Sequence, residues 1–139
     1  DPSHRDFVIY ALSKIKAPQI LQAVPHALES VSSSDLELRD TATRSIGKFA
    51  EVIPPSAFPD GMCQDLIDAL STNLSDPSPG IRAKAARSLG KLAKYRHLTP
   101  DQRHQLRKKF LGLLGKEGFE WDRAYVVRKQ AEEALQYVE

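Results

Sequence analysis

Arg82-x-x-Ala85-x-x-Ser88-Leu89-Gly90-Lys91-Leu92 is one of four copies of a single phrase. It follows Arg5-x-x-Val8-x-x-Ala11-Leu12-Ser13-Lys14-Ile15 and Arg39-x-x-Ala42-x-x-Ser45-Ile46-Gly47-Lys48-Phe49. A looser copy, Arg128-x-x-Ala131-x-x-Ala134-Leu135-Gln136-Tyr137-Val138, comes after it. The arginines stand 34, 43 and 46 residues apart. A helical unit that returns at such a period predicts a stack of repeats, each burying its apolar face against its neighbours.

Each residue advances a helix by about 100°, so positions −1, +3, +7 and +10 from the arginine fall within roughly 80°. In the third copy these are Ile81, Ala85, Leu89 and Leu92, a stripe for burial. Positions +6 and +8 flank the stripe and are small: Ser45 and Gly47, then Ser88 and Gly90. Small side chains let a second helix approach closely. Before each later copy runs another helical pattern: Pro18 to Val31, Pro59 to Leu74, and Thr99 to Leu114. Pro18, Pro59 and Pro100 mark the starts, because a proline in the first turn forfeits no helical hydrogen bond. Thr99-Pro100-Asp101-Gln102 reads as a capping box. The unit is a helical hairpin, and the fold class is all-α, an α–α superhelix of about seven helices in three and a half hairpins.

Asp35, Asp76 and Asp122 precede the second helices. An aspartate there caps backbone N–H groups, and in a stack it also meets the arginine of an adjacent repeat. Arg5, Arg39, Arg82 and Arg128 are accordingly read as a structural ladder with these three aspartates.

Two runs carry a family resemblance. One is Ala23-Val-Pro25-His-Ala-Leu28 with Asp35-Leu-Glu-Leu38-Arg39-x-x-Ala42; the other is Ser75-Asp76-Pro-Ser-Pro-Gly-Ile81-Arg82-Ala-Lys-Ala85-Ala-Arg-Ser-Leu89-Gly90. They resemble HEAT repeats, of the armadillo-like α-solenoids, in which the first helix holds an internal proline. The resemblance implies that Pro25 kinks its helix, that the second helices line a concave surface, and that the protein is an interaction scaffold. The HEAT-like fold also houses some DNA glycosylases and bilin lyases, so fold alone does not exclude an enzyme.

The 139 residues are expected to form one domain, with a half repeat at 1–16 and repeats at 17–53, 54–97 and 98–139. The opening Asp1-Pro2-Ser3 reads like Asp76-Pro77-Ser78, so a piece of a longer solenoid is expected. In the fourth copy the turn Gly115 to Trp121 is long, and Gln136 and Tyr137 replace the Gly-Lys pair. Trp121 is expected to fold back over the open end of the core. One cysteine rules out an internal disulfide and fits a reducing, intracellular compartment, cytoplasmic or nuclear; Cys63 reads as core filler. No apolar run reaches the roughly 18 residues of a membrane span.

The net charge of +2 hides an asymmetry: residues 1–70 hold 6 Lys or Arg against 10 Asp or Glu, and the remainder 14 against 8. In the third copy Lys84, Arg87, Lys91 and Lys94 share an exposed side within about 80°. Arg44 and Lys48 take the matching places in the second copy. Stacking would align these six into a basic ridge suited to an acidic or phosphorylated protein partner, with nucleic-acid phosphates as the alternative. Aromatic residues for base stacking are sparse on that side, and Asp40, Glu51 and Glu133 dilute its field. Arg103, Arg107, Lys108 and Lys109 form a second basic cluster, in which Arg103 and Arg107 share one solvent-facing side. His4, His26, His97 and His104 lack metal-ligand spacing, and no phosphate loop or nucleophile elbow occurs. The expectation is a non-catalytic scaffold that needs no cofactor and no metal, of undetermined oligomeric state.

Overall fold

The computed structural model describes residues 18–116, 118 and 120–139, so Arg5 and the first copy of the phrase lie outside the described residues. Six α-helices follow in order: α1 Val24–Ser30, α2 Leu36–Val52, α3 Met62–Asn73, α4 Pro79–Lys94, α5 Pro100–Leu113 and α6 Tyr125–Leu135. Short 3-10 helices at Pro18–Ala23 and Pro55–Ala57 precede α1 and α3, and there is no strand among the described residues. The fold is an all-helical repeat.

Local sequence sets most of the helix starts. Asp35 accepts from Leu38 N at 2.9 Å to cap α2, and Ser78 accepts from Ile81 N at 3.4 Å to cap α4. At α5, Thr99 Oγ1 accepts from Gln102 N at 3.1 Å while Gln102 Oε1 accepts from Thr99 N at 2.9 Å, a complete capping box ahead of Pro100. Replacing Thr99 by alanine removes the hydroxyl that accepts from Gln102 N and leaves the backbone N–H that donates to Gln102 Oε1. It is expected to cost about 1 kcal/mol, readable as a shift of the urea midpoint without change in its slope.

Two starts differ from the sequence reading. Pro18 to Val31 is not one kinked α-helix: its first six residues are 3-10, and α1 begins at Val24 with Pro25 in its first turn. Pro25 has no N–H to give the Leu21 carbonyl, so the α-helical ladder cannot run through it. The second start moves from Pro59 to Met62, because Gly61 at φ +82° is in the left-handed region and Met62 N turns back to Pro59 O at 3.1 Å.

The stripe is the core. Ile81, Ala85, Leu89 and Leu92 are fully buried, as are Ala42, Ile46 and Phe49 of α2 and Val127 and Ala131 of α6. Second helices pack directly on one another, α2 on α4 and α4 on α6, more extensively than successive first helices do. This closeness depends on missing side chains: a Cβ on Gly47 would lie 2.8 Å from Ser88 Oγ, and one on Gly90 2.7 Å from Ala134 Cβ. Polar bonds join the same repeats: Ser88 Oγ of α4 donates to Thr43 O of α2 at 2.7 Å, and Asn73 Nδ2 at the end of α3 donates to Val31 O and Thr43 Oγ1. Counted from the ladder arginine, positions +4 and +8 therefore face the following repeat and +6 faces the preceding one.

Candidate partner-binding surface

Asp76 and Asp122 stand six residues before Arg82 and Arg128 and turn their carboxylates toward the arginine of the preceding repeat. Arg39 donates through Nε to Asp76 Oδ2 at 2.6 Å and through Nη2 to Oδ1 at 3.3 Å. Arg82 repeats this on Asp122 at 2.8 and 3.1 Å. The remaining nitrogen, Nη1, reaches back six residues: Arg39 to Ser33 O, Arg82 to Asp76 O and Arg128 to Asp122 O. A planar guanidinium can serve its own turn and the next repeat at once, which an ammonium cannot. The aspartates also accept from Ser78 N and Ala124 N at 2.9 Å. Burial alone would raise the Asp76 and Asp122 carboxyls, but these bonds and the paired arginines hold both below the usual carboxylate range.

Asp35 requires a correction. The place six residues before Arg39 belongs to Ser33, whose Oγ accepts from Asp35 N at 3.1 Å in the way Asp76 accepts from Ser78 N. Asp35 is instead the N-cap, equivalent to Ser78, and it pairs with no arginine among the described residues. A second correction concerns Trp121, which is 60% exposed and does not cover the core. Its ring lies against the Arg128 guanidinium at 4.3 Å.

The six ridge cations are placed on the second helices but differ in their electrostatics. Lys84 Nζ donates to Asp40 Oδ1 at 2.6 Å across the α2–α4 seam. Lys91 and Lys48 both reach Glu51 Oε2, at 3.3 and 3.5 Å. Burial tends to raise the Glu51 carboxyl, yet these two lysines hold it below its ordinary value. Arg44 is exposed on α2. Arg87 and Lys94 have no carboxylate partner among the described residues, and Lys94 lies 5.4 Å from the Tyr95 ring and 5.7 Å from that of Tyr137.

Arg87, Lys91 and Lys94 come together on one wall of an open groove of about 420 Å³ between α4 and α6. Lys129, Gln130 and Glu133 of α6, with Tyr137 just beyond its end, supply the other wall. Lys129 and Gln130 escaped the sequence reading. The ridge was traced at positions that are basic in the third copy, and Lys129 sits one residue after its arginine, where that copy has Ala83. An alignment of the copies by position does show this lysine, but only the α4–α6 packing carries it into the groove. The cluster on α5 lines a separate, smaller groove of about 260 Å³ with Arg103, His104 and Arg107. Half-buried Cys63 has its thiol pushed up to about 11 by burial, away from thiolate chemistry. Among the described residues no group of three or more metal-ligating side chains gathers. None of their helices is long and apolar enough to cross a membrane.

Residues 66–96, most of α3 and all of α4, match the family model of the HEAT repeat. The match falls on the hairpin that holds Asp76, Arg82 and Gly90. HEAT repeats are, as a class, protein–protein interaction scaffolds and generally non-catalytic. No curated protein matches the chain.

Proposed function

With a HEAT repeat at the centre of the stack, we propose that this chain is a non-catalytic scaffold that holds an acidic or phosphorylated segment of a protein partner against its second helices, in the cytoplasm or nucleus. The observation that carries the reading is the α4–α6 groove, where Arg87, Lys94 and Lys129 gather with Lys91, itself drawn to Glu51, and Glu133 is the one carboxylate of the lining. Closer packing of the second helices than of the first supports a stack curved with this face inward, which would make the groove part of a concave surface. Lys48, Lys84 and Arg44 extend the basic character toward α2. The part-exposed ion pairs of Lys48 and Lys84 contribute little to stability, so an incoming anion can recruit these lysines at small cost.

Fluorescence anisotropy with labelled octaglutamate and phosphoserine-containing peptides tests this. Charge reversal of Arg87, Lys94 and Lys129 to glutamate is expected to weaken binding by a factor of about 30 or more. The three changed positions lie off the buried stripe, so helical circular dichroism should not change. Equal affinity in the variant removes the groove from consideration. If a DNA duplex binds far more tightly than either peptide, with a logarithmic salt slope near −0.9 per phosphate, the groove belongs to nucleic acid instead.

A further inference from the structure

Residues 53–61 connect α2 to α3, and residues 95–99 connect α4 to α5. His97 ties the second connector to the first. The carbonyl of Ala50, in the last turn of α2, would ordinarily accept from the backbone nitrogen four residues on, but that residue is Pro54 and carries no N–H. His97 Nε2 takes this carbonyl instead, at 2.8 Å. A carbonyl only accepts, so the ring carries its proton on Nε2 and leaves Nδ1 bare. Nδ1 is buried and has no partner among the described residues. The ring also stacks on Phe58 of the first connector, with centroids 4.1 Å apart and planes at 23°. The end of α4 sets its direction: His97 N donates to Leu92 O at 2.9 Å and Arg96 N to Ala93 O at 3.1 Å, a Schellman closure. That closure needs a left-handed residue, and the place usually given to glycine holds Arg96 at φ +66°. A side chain in this region is sustained by the contacts around it, and such strain gathers in segments that switch.

We propose that His97 is a proton-released pin between the two connectors: neutral, it fastens the end of α4 to the end of α2; protonated, it leaves its site and frees both connectors while the stacked helices stay folded. An imidazolium must place two N–H groups, and this site offers an acceptor to only one of them. Burial holds the imidazole below its ordinary value, and the Ala50 carbonyl, which accepts from Nε2, acts in the opposite direction. The Phe58 face also favours a cation, so release depends on burial outweighing both. The elements around the ring bring Glu51 on α2, Asp60 in the first connector, Cys63 on α3, Lys94, Tyr95 and Arg96 at the end of α4, and Asp101 on α5. None of them bonds to the ring, and no charge among them contributes to its shift. The pin is therefore whole above about 6.5, the ordinary imidazole value, and weakens as pH falls below it toward the lower folded value.

Hydrogen–deuterium exchange of the full chain between pH 7.5 and 4.5, read as protection relative to the intrinsic rate at each pH, is the experiment. The interval lies above the range in which Asp76 and Asp122 take up protons. Protection at Ile53, Phe58, Arg96 and His97 is expected to fall at least fivefold across it, and by no more than about tenfold for each pH unit below 6.5. Exchange there should be insensitive to 1 M urea, because a local opening exposes little surface, whereas amides in the middle of α2 and α4 should respond. In His97→Gln, whose amide can donate to Ala50 O without titrating, connector protection should be the same at both ends of the interval, whatever its level. In the wild type, ring nitrogen shifts should show the Nε2–H tautomer at pH 7 and pass to imidazolium together with the loss of protection. His97 does not line the α4–α6 groove, so none of these readings depends on what that groove binds. An Nδ1–H tautomer, protection unchanged to pH 4.5, or an equal loss in His97→Gln each overturn the proposal. Connector exchange that rises with urea as steeply as that of the helix interiors also overturns it, since the pin would then open only with the whole stack.

Discussion

Gly90→Leu is expected to lower the unfolding free energy by about 3 kcal/mol, at the upper end of overpacking costs. For a chain of this size that is a fall in melting temperature of roughly 10 °C. The cause is the contact between α4 and α6, where even a Cβ on Gly90 would lie 2.7 Å from Ala134 Cβ and 3.2 Å from Ala134 Cα. Neither atom is the far end of a flexible chain, so relief requires the helices to separate, and separation opens the buried stripe between them. Helix propensity acts in the opposite direction, since replacing a helical glycine by alanine gains about 1 kcal/mol. Gly90→Ala should therefore be less harmful than Gly90→Leu but still destabilising. Gly80, in the first turn of α4, supplies the control: the nearest atom to its added Cβ is Ser78 Oγ at 3.6 Å. Gly80→Ala should be neutral or stabilising by a few tenths of a kcal/mol. Calorimetry in which Gly90→Leu and Gly80→Ala melt together would refute close helix contact as the basis of the stack.

The second large effect belongs to the ladder. Asp76→Ala deprives Arg39 of both carboxylate oxygens, leaving only Ser33 O, and uncaps Ser78 N, and the aspartate side chain is only 6% exposed. Breaking such a pair from one side leaves a partly buried guanidinium unmatched, at a cost of about 3 kcal/mol. Removing both partners avoids that orphan, so Arg39→Ala with Asp76→Ala should cost less than the sum of the single changes. The pair also makes stability depend on pH. Asp76 and Asp122 have folded values below the unfolded value of about 3.9. Their contribution is therefore complete above that value and is lost as pH falls through the lower folded values. Urea titrations at pH 7, 4.5 and 3 should show the two aspartates' share unchanged between the first two and falling at the third, beside a loss between pH 7 and 4.5 common to wild type and variant from His97, whose imidazole burial holds below its ordinary value. The gap between wild type and Asp76→Asn should narrow between pH 4.5 and 3. A gap that stays constant to pH 3 would mean that the ladder's charge contributes nothing.

How far the surface could be read in advance differs from residue to residue. The approach between Gly47, Ser88 and Gly90 was legible because small residues recur at fixed offsets from each arginine, and helical geometry turns an offset into a direction. Asp35 was misassigned because it lies two residues beyond the ladder place and is itself an excellent cap. Both roles suit an aspartate, and only the hydrogen bond from Leu38 N separates them. Trp121 was expected over the core, but the Arg128 guanidinium holds it at the surface. On the ridge, a helical wheel placed Lys84, Arg87, Lys91 and Lys94 on one side without revealing that Lys84 and Lys91 are matched by Asp40 and Glu51 of the preceding repeat.

The sequence by itself determined a stack of helical hairpins, its buried stripe and its close-contact shoulders, because these follow from periodicity within one helix. Which cations are neutralised, that Lys129 joins Arg87 and Lys94 in a groove, and that Arg128 has no carboxylate among the described residues were decided only by the tertiary structure. Those pairings span 40 residues or more of chain, as in Arg82–Asp122, Lys91–Glu51 and Lys84–Asp40. They depend on the axial offset between neighbouring helices, which is set by turn length and by how nearly the glycines let the backbones touch.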